Sequence, residues 1–400
     1  MKIRSITYFF NPDFPLDEDK LSAADNFLRA ARKIYQSAGY EVQTTRLSTP
    51  TFTKILGESQ LDALPSLAFQ LASAMDTMDA EYASLGPALS SFPRSYEVIP
   101  EAISASENIF FSGEIANAQN GISLKSIKSC ADIIVKLAKI EPNGFANLRF
   151  TAIANVLAGG PFFPASYHNG AKPAFALALE AADLAIDAFH GAKTINDGRK
   201  NLVVSLEKHG KKLVQIAKSL NCNFLGLDFS LAPFPDDAIS LGGAIERFGV
   251  SKVGLHGSLA ASAILAESIQ KADFPHTGFN GMMMPVLEDS VLAARAAEGA
   301  LSVKDLLLYS AVCGTGLDTV PLAGDLSAEQ ITGVLLDVSA MSLRLAKPLT
   351  ARLMPIPGKQ AGEKTEFDFP FFKNSRVMRL ESAPLNHPFA GAEVIQIEAR

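Results

Sequence analysis

Carboxylates placed at the ends of apolar runs carry the most chemical promise in this chain. Asp228 leaves the apolar run 223–229, and the adjacent acids Glu288 and Asp289 follow the apolar run 282–287. Asp318 and Asp325 stand on the loop predicted after Cys313-Gly-Thr-Gly316. In folds that alternate strand and helix, ligands gather where strands end and loops begin. Together these acids are expected to form an acidic cluster. Some of them would hold a hard divalent cation (Mg²⁺, Mn²⁺ or Ca²⁺), and one would act as general acid or base. Each also has a purely structural reading. Asp228 can cap a turn before Pro233. Glu288 and Asp289 can complement a helix dipole by about 0.3–1 kcal/mol.

His168 closes the segment Gly159-Gly-Pro-Phe-Phe-Pro-Ala-Ser-Tyr-His168, where glycines allow close approach to a ligand and the imidazole could move protons. Cys313 has the look of a nucleophile beside glycine-rich backbone. Its position at the end of a predicted helix, capped by Gly314, argues instead for an inert thiol, because the helix terminus disfavours thiolate.

Two apparent nucleotide motifs fail. Gly358-Lys-Gln-Ala-Gly-Glu-Lys-Thr365 lacks the glycine directly before its Lys-Thr pair and puts Glu363 there. Gly314-Thr-Gly-Leu-Asp-Thr319 lacks a third glycine and follows a helix, not a strand. No nucleotide cofactor is indicated. The 6 histidines show no helix or strand pairing, and with no CxxC a structural zinc is not expected.

The elements that must position these residues follow from periodicity. Strands are predicted at 3–10, 41–47, 108–112, 148–156, 223–229, 282–287 and 352–356. Helices are predicted at 22–37, 61–78, 124–140, 172–188, 197–220, 242–248, 259–271, 290–299 and 303–312, with a last one opened by a Ser327/Gln330 capping box. This alternation predicts an α/β fold with a mostly parallel sheet, open or closed into a barrel.

Of the 400 residues, 48% are hydrophobic and 20% charged, ample for a large core. A net charge of −6 with no basic run argues against a nucleic-acid partner. No apolar run reaches the ~20 residues of a membrane span. The N-terminus reads as a strand, not a signal peptide, and 3 cysteines without pairing point to the cytoplasm.

Four segments resemble the signatures of the domain-of-unknown-function 711 family: Gly226-Leu-Asp-Phe-Ser-Leu-Ala-Pro233, Met284-Pro-Val-Leu-Glu-Asp289, Cys313 through Asp325, and Arg352-Leu-Met-Pro-Ile-Pro-Gly358. The resemblance covers most of the chain and is densest within 224–370. It implies one domain over 1–400, with a ten-stranded α/β barrel like that of the glycyl radical enzymes, built of two five-stranded halves around a central loop. It implies no activity. Radical chemistry is disfavoured, because the string Arg376-Val-Met-Arg379 lacks the glycine those enzymes carry.

The leading expectation is an enzyme (hydrolase, lyase or isomerase) acting on a small polar metabolite through Asp228, Glu288 and Asp318, with His168 assisting. The alternatives are a non-catalytic small-molecule or metal-binding protein and a thiol enzyme using Cys313. A homo-oligomer is compatible with each.

Overall fold

A computed structural model describes residues 1–400. Its strands, in chain order, are β1 (Lys2–Phe9), β2 (Val42–Ser48), β3 (Tyr82–Ala88), β4 (Ile109–Asn117), β5 (Gly121–Ser123), β6 (Phe150–Ala154), β7 (Ala174–Glu180), β8 (Asn223–Ala232), β9 (Gly316–Ala323), β10 (Leu349–Ile356) and β11 (Val394–Ile395). They form one sheet whose main path runs β8-β7-β1-β2-β3-β4-β6-β10-β9. Within it β1, β2, β3, β4 and β6 are mutually parallel. β7 and β10 join that set antiparallel, through β1 and β6, and carry β8 and β9 as parallel neighbours. This is a mixed, mostly parallel α/β sheet with helices packed on it. No helix is long and apolar enough to cross a membrane.

The two end strands share a neighbour. Leu227 N donates to Pro275 O at 2.8 Å and Leu231 N to Gly281 O at 3.1 Å, so β8 bonds the start of segment 275–287. Val286 N donates to Asp318 O at 3.1 Å, so the end of the same segment bonds β9. Glycine permits this approach: a Cβ on Gly281 would stand 2.5 Å from Gly314 Cα.

Alternation sorts the strand residues between two faces. Ile3, Ile6 and Tyr8 of β1 join the large core beneath the helices, while Phe9 packs on the other, inner face with Ala174 and Ala176. The segment after β6 runs along that inner face. Ser84 Oγ donates to Ser166 O at 2.7 Å, and Ser166 Oγ bonds Ser48 Oγ at 2.8 Å. Phe162 and Ala165 of this segment share a cluster with Ile153, Ala232 and Met283, which come from β6, β8 and segment 275–287.

The helices form where amphipathic spacing meets a cap. Helix Glu18–Ser37 starts at Asp17, whose side chain accepts from Lys20 N, and buries Ala24, Leu28, Ala31 and Tyr35. The capping box at Ser327/Gln330 is present and opens helix Ala328–Arg344.

Several regions differ from the sequence reading. Residues 282–287, expected as a strand, form no regular strand and pair with β9 only through an isolated bridge between Pro285 and Asp318. Residues 174–180, expected as helix, are strand β7, followed by helix Ala182–Phe189. Every residue of β7 is buried, so its Ala-Phe-Ala-Leu-Ala-Leu run carries no period that distinguishes strand from helix. β3, which holds Gly86 and Pro87, was not expected; a Cβ on Gly86 would press on the backbone of Thr51. Residues 316–323, expected as a loop bearing Asp318, are strand β9, bent at Thr319, whose φ is +41°.

Candidate functional site

The alternation that buries one face of each strand leaves charged residues on the other. Arg4, Arg46 and Arg352 all sit inside strands of the sheet, and a charge buried there requires a partner or a ligand. Arg352 of β10 has partners. Its Nε donates to Asp318 Oδ1 at 2.6 Å and its Nη2 to Glu288 Oε1 at 2.9 Å. The other oxygen of Glu288 accepts from Arg4 of β1, whose Nη1 also donates to Pro233 O at 3.1 Å. One charge network thus joins β1, β9, β10 and the turn after segment 275–287. All but Arg4 are buried. Burial works against the Arg352 cation, but the carboxylates of Asp318 and Glu288 outweigh it and hold the guanidinium above its ordinary range. Burial also pushes the Asp318 carboxyl up, against the pull of Arg352.

Arg46 of β2 is different. Its Nε donates to Thr44 Oγ1 at 2.9 Å, and its two terminal nitrogens have no protein acceptor. The guanidinium lies over Phe163 at 5.1 Å and Tyr82 at 5.7 Å. Phe110 sets its ring against both, at 5.4 Å from Tyr82 and 5.5 Å from Phe163. Burial lowers the guanidinium to about 10, helped by the nearby Arg4 charge, which leaves it a cation at neutral pH.

These groups line one cavity of about 150 Å³ on the inner face. Its walls carry Arg4, Arg46, Glu288 and Arg352 among aromatic rings, including Phe162 on the segment after β6 and Phe369 and Phe371 near the C-terminal end. The lining carries four guanidinium groups, of Arg4, Arg46, Arg149 and Arg352, and two carboxylates, of Glu107 and Glu288. Of the four, only Arg46 has terminal nitrogens without an acceptor.

Of the acids expected from sequence, Glu288 and Asp318 are brought together, through Arg352. Asp228 lies elsewhere and clasps a loop. Its oxygens accept from Phe279 N at 3.0 Å, Asn280 N at 3.1 Å and Ser230 N at 3.2 Å. Asp289 caps helix Ser290–Glu298 through Val291 N and Leu292 N, and also takes Leu241 N at 2.6 Å and Ser240 Oγ at 2.6 Å. Burial pushes both carboxyls up, and those hydrogen bonds pull back. Asp325 is exposed and accepts from Gln360 Nε2 at 2.9 Å. No three His, Cys, Asp or Glu side chains converge on a point where one metal ion could bind them.

His168 is buried beside Phe9, and its Nε2 donates to Ala171 O at 3.0 Å; burial lowers the ring's proton affinity. Cys313 is buried just beyond helix Val303–Ser310. Its carbonyl oxygen accepts from Lys347, which also reaches Ser310 O at 2.8 Å, so a cation does stand at this helix end. It arrives from far along the sequence.

Sequence reasoning missed the arginines. The available signal was a lone Arg flanked by apolar or β-branched residues: Ile3-Arg4, Thr45-Arg46-Leu47 and Ala351-Arg352-Leu353. It also missed Glu180, the last residue of β7. This side chain is 1% exposed, and neither carboxylate oxygen has a hydrogen-bond partner.

A family model described as Uncharacterised ACR (DUF711) matches residues 1–374. A UPF0210 protein of Pyrobaculum aerophilum is 28% identical over 375 residues, covering 86% of this chain and 82% of the relative. One of Ruminiclostridium cellulolyticum is 27% identical over 401 residues, covering 94% and 87%. One of Neisseria gonorrhoeae is 27% identical over 365 residues, covering 86% and 80%.

Proposed function

The chain belongs to the DUF711 family, whose description assigns no chemistry, and we propose from its geometry that it binds a small monoanionic carboxylate in the cavity beside Arg46. The observation that carries this reading is the Arg46 guanidinium, which lines the cavity with two terminal nitrogens unpaired. A planar fork of N–H donors matches a carboxylate in bidentate geometry. One guanidinium with free terminal nitrogens offers one bidentate fork, which suits one carboxylate group.

Segment 275–287, hydrogen bonded to β8 on one side and to β9 on the other, supports a barrel of two five-stranded halves. In that reading the cavity is its lumen, and the segment from Gly159 to His168 is a central loop inside it. The lumen site then lies at the N-terminal ends of β1, β2, β3, β4 and β6 and at the C-terminal end of β7, which runs antiparallel to β1.

The test is calorimetric and thermal titration of the purified protein with small carboxylic acids and their neutral amides. Acids should raise the melting temperature in a saturable way, by about 2.7 kcal/mol of stability at a hundred times Kd, and amides should not. Arg46→Met should abolish the effect while retaining the fold. Acids that fail to bind, or that bind Arg46→Met equally well, overturn the proposal.

Catalysis is the second reading, favoured by Glu288, a carboxylate on the wall of the same cavity. Both its oxygens already accept from guanidinium groups, so proton uptake must compete with two ion pairs. Chemical conversion of a bound acid, lost in Glu288→Gln while binding persists, would establish it.

A further inference from the structure

The cation in the cavity is framed by rings. Tyr82 and Phe163 both lie against the Arg46 guanidinium, and Phe110 stands edge-on to each of them, at interplanar angles of 80° and 61°. Phe162 meets the neighbouring Arg352 guanidinium at 5.8 Å. A carboxylate paired with Arg46 therefore projects its remaining atoms among aromatic faces and edges, with Gln43, Glu107 and the Tyr82 hydroxyl as polar neighbours. Glu288, Asp318 and Arg352 satisfy one another, and Arg4 is held by Glu288 and Pro233 O.

Size narrows the choice. The cavity holds about 150 Å³. In another protein, a cavity of about that volume lined by apolar side chains admits one benzene ring. Planarity narrows it again, because offset and edge-to-face contacts between rings add to the gain from burial.

Resting on the carboxylate reading of Arg46, we infer that the ligand of this cavity is a monocarboxylic acid carrying one planar six-membered ring, with the carboxylate on Arg46 and the ring against Phe110 and Phe163. Phe369 and Phe371, themselves 5.3 Å apart, line the same cavity and extend its aromatic wall, and Phe371 meets Phe234 edge-on at 6.0 Å.

The experiment is isothermal titration of the full chain with benzoate, cyclohexanecarboxylate, acetate and inorganic phosphate. Benzoate should bind at least about tenfold more tightly than acetate, through burial of the ring. It should exceed cyclohexanecarboxylate, similar in size but not planar, by roughly two- to tenfold. Phe110→Leu keeps an apolar side chain and should erase most of the preference for benzoate over cyclohexanecarboxylate. Its melting curve confirms that it folds; should it not fold, the four-ligand series on the unaltered protein still decides. Equal binding of acetate and benzoate overturns the ring assignment and leaves the Arg46 reading intact. Equal binding of benzoate and cyclohexanecarboxylate overturns planarity. Binding of phosphate alone, or of none of the four, overturns both.

Discussion

Replacing Arg352 with methionine removes the one group that neutralises Asp318 and half of what holds Glu288. Methionine is similar in length and leaves no large void, so the effect is chiefly electrostatic. Asp318 is buried, and Arg352 is its sole ion-pair partner. Removing one member of a buried pair costs about 3–5 kcal/mol, because the survivor keeps its desolvation without its counter-charge. Glu288 retains Arg4, which places the expectation near the middle, at about 4 kcal/mol. An unfolding entropy of roughly 2.1 cal/mol/K per residue gives about 0.8 kcal/mol/K for the whole chain, so the melting temperature at pH 7 should fall by about 5 °C. The deficit should also depend on pH. In the variant, the Asp318 carboxyl rises further above its unfolded value, so its folded form binds the proton more readily. The variant therefore gains on the parent as pH falls, and loses ground as pH rises through the raised value. Scanning calorimetry of both proteins from pH 5 to pH 8 measures this. Adding Asp318→Asn to Arg352→Met should recover part of the loss. A cost below about 1 kcal/mol, equal at every pH, would refute the claim that these side chains form a buried charge network.

Other consequences are open to direct measurement. Burial pushes the Glu180 carboxyl up, so this residue contributes stability below the ordinary carboxylate range and loses it as pH rises through its folded value. Glu180→Gln should be more stable than the parent at pH 8 and flatten the melting curve's pH dependence; parallel profiles for the two proteins would contradict this. His168 should titrate below its ordinary value, since burial disfavours the imidazolium, and NMR of the ring protons showing a midpoint at or above about 6.5 would exclude that environment. Gly278 has φ +73°, and a Cβ there would stand 2.3 Å from Asp228 Oδ2. Gly278→Ala should therefore cost more than the ~1–2 kcal/mol of a left-handed residue alone, read from the denaturant midpoint.

Legibility from sequence followed the strength of local pattern. Helix Glu18–Ser37 was visible in its spacing, and it buries Ala24, Leu28, Ala31 and Tyr35. The capping box at Ser327 was visible because it is local chemistry. β7 was not, because a strand covered on both faces has no alternation and its Ala and Leu residues also favour helix. The acids were conspicuous at strand ends, but two of them, Asp228 and Asp289, turned out to hold backbone amides. Capping and ligand binding ask for the same residue in the same place, so sequence alone does not separate them. The arginines were hidden for the opposite reason. Their meaning lies in which faces the strands present to one another, and that is decided by pairings across the whole chain.

The joining of β1 to β7 has a consequence for how the molecule is made. The five parallel strands β1, β2, β3, β4 and β6 come from the first 154 residues, while the partners of β1 and β6 across the antiparallel junctions come later. Arg4 and Glu288 are 284 residues apart. At synthesis rates of about 5–20 residues per second, Arg4 waits roughly 15–60 s before its carboxylate leaves the ribosome. Until β7 is made, the N-terminal sheet carries an unpaired strand edge with a cation on the same strand, and that cation lacks its carboxylate until Glu288 follows. The edge invites mispairing, and the charge opposes burial against another apolar edge. The buried ion network is thus among the last contacts to form, and in the interval its arginine acts as a gatekeeper for the nascent chain.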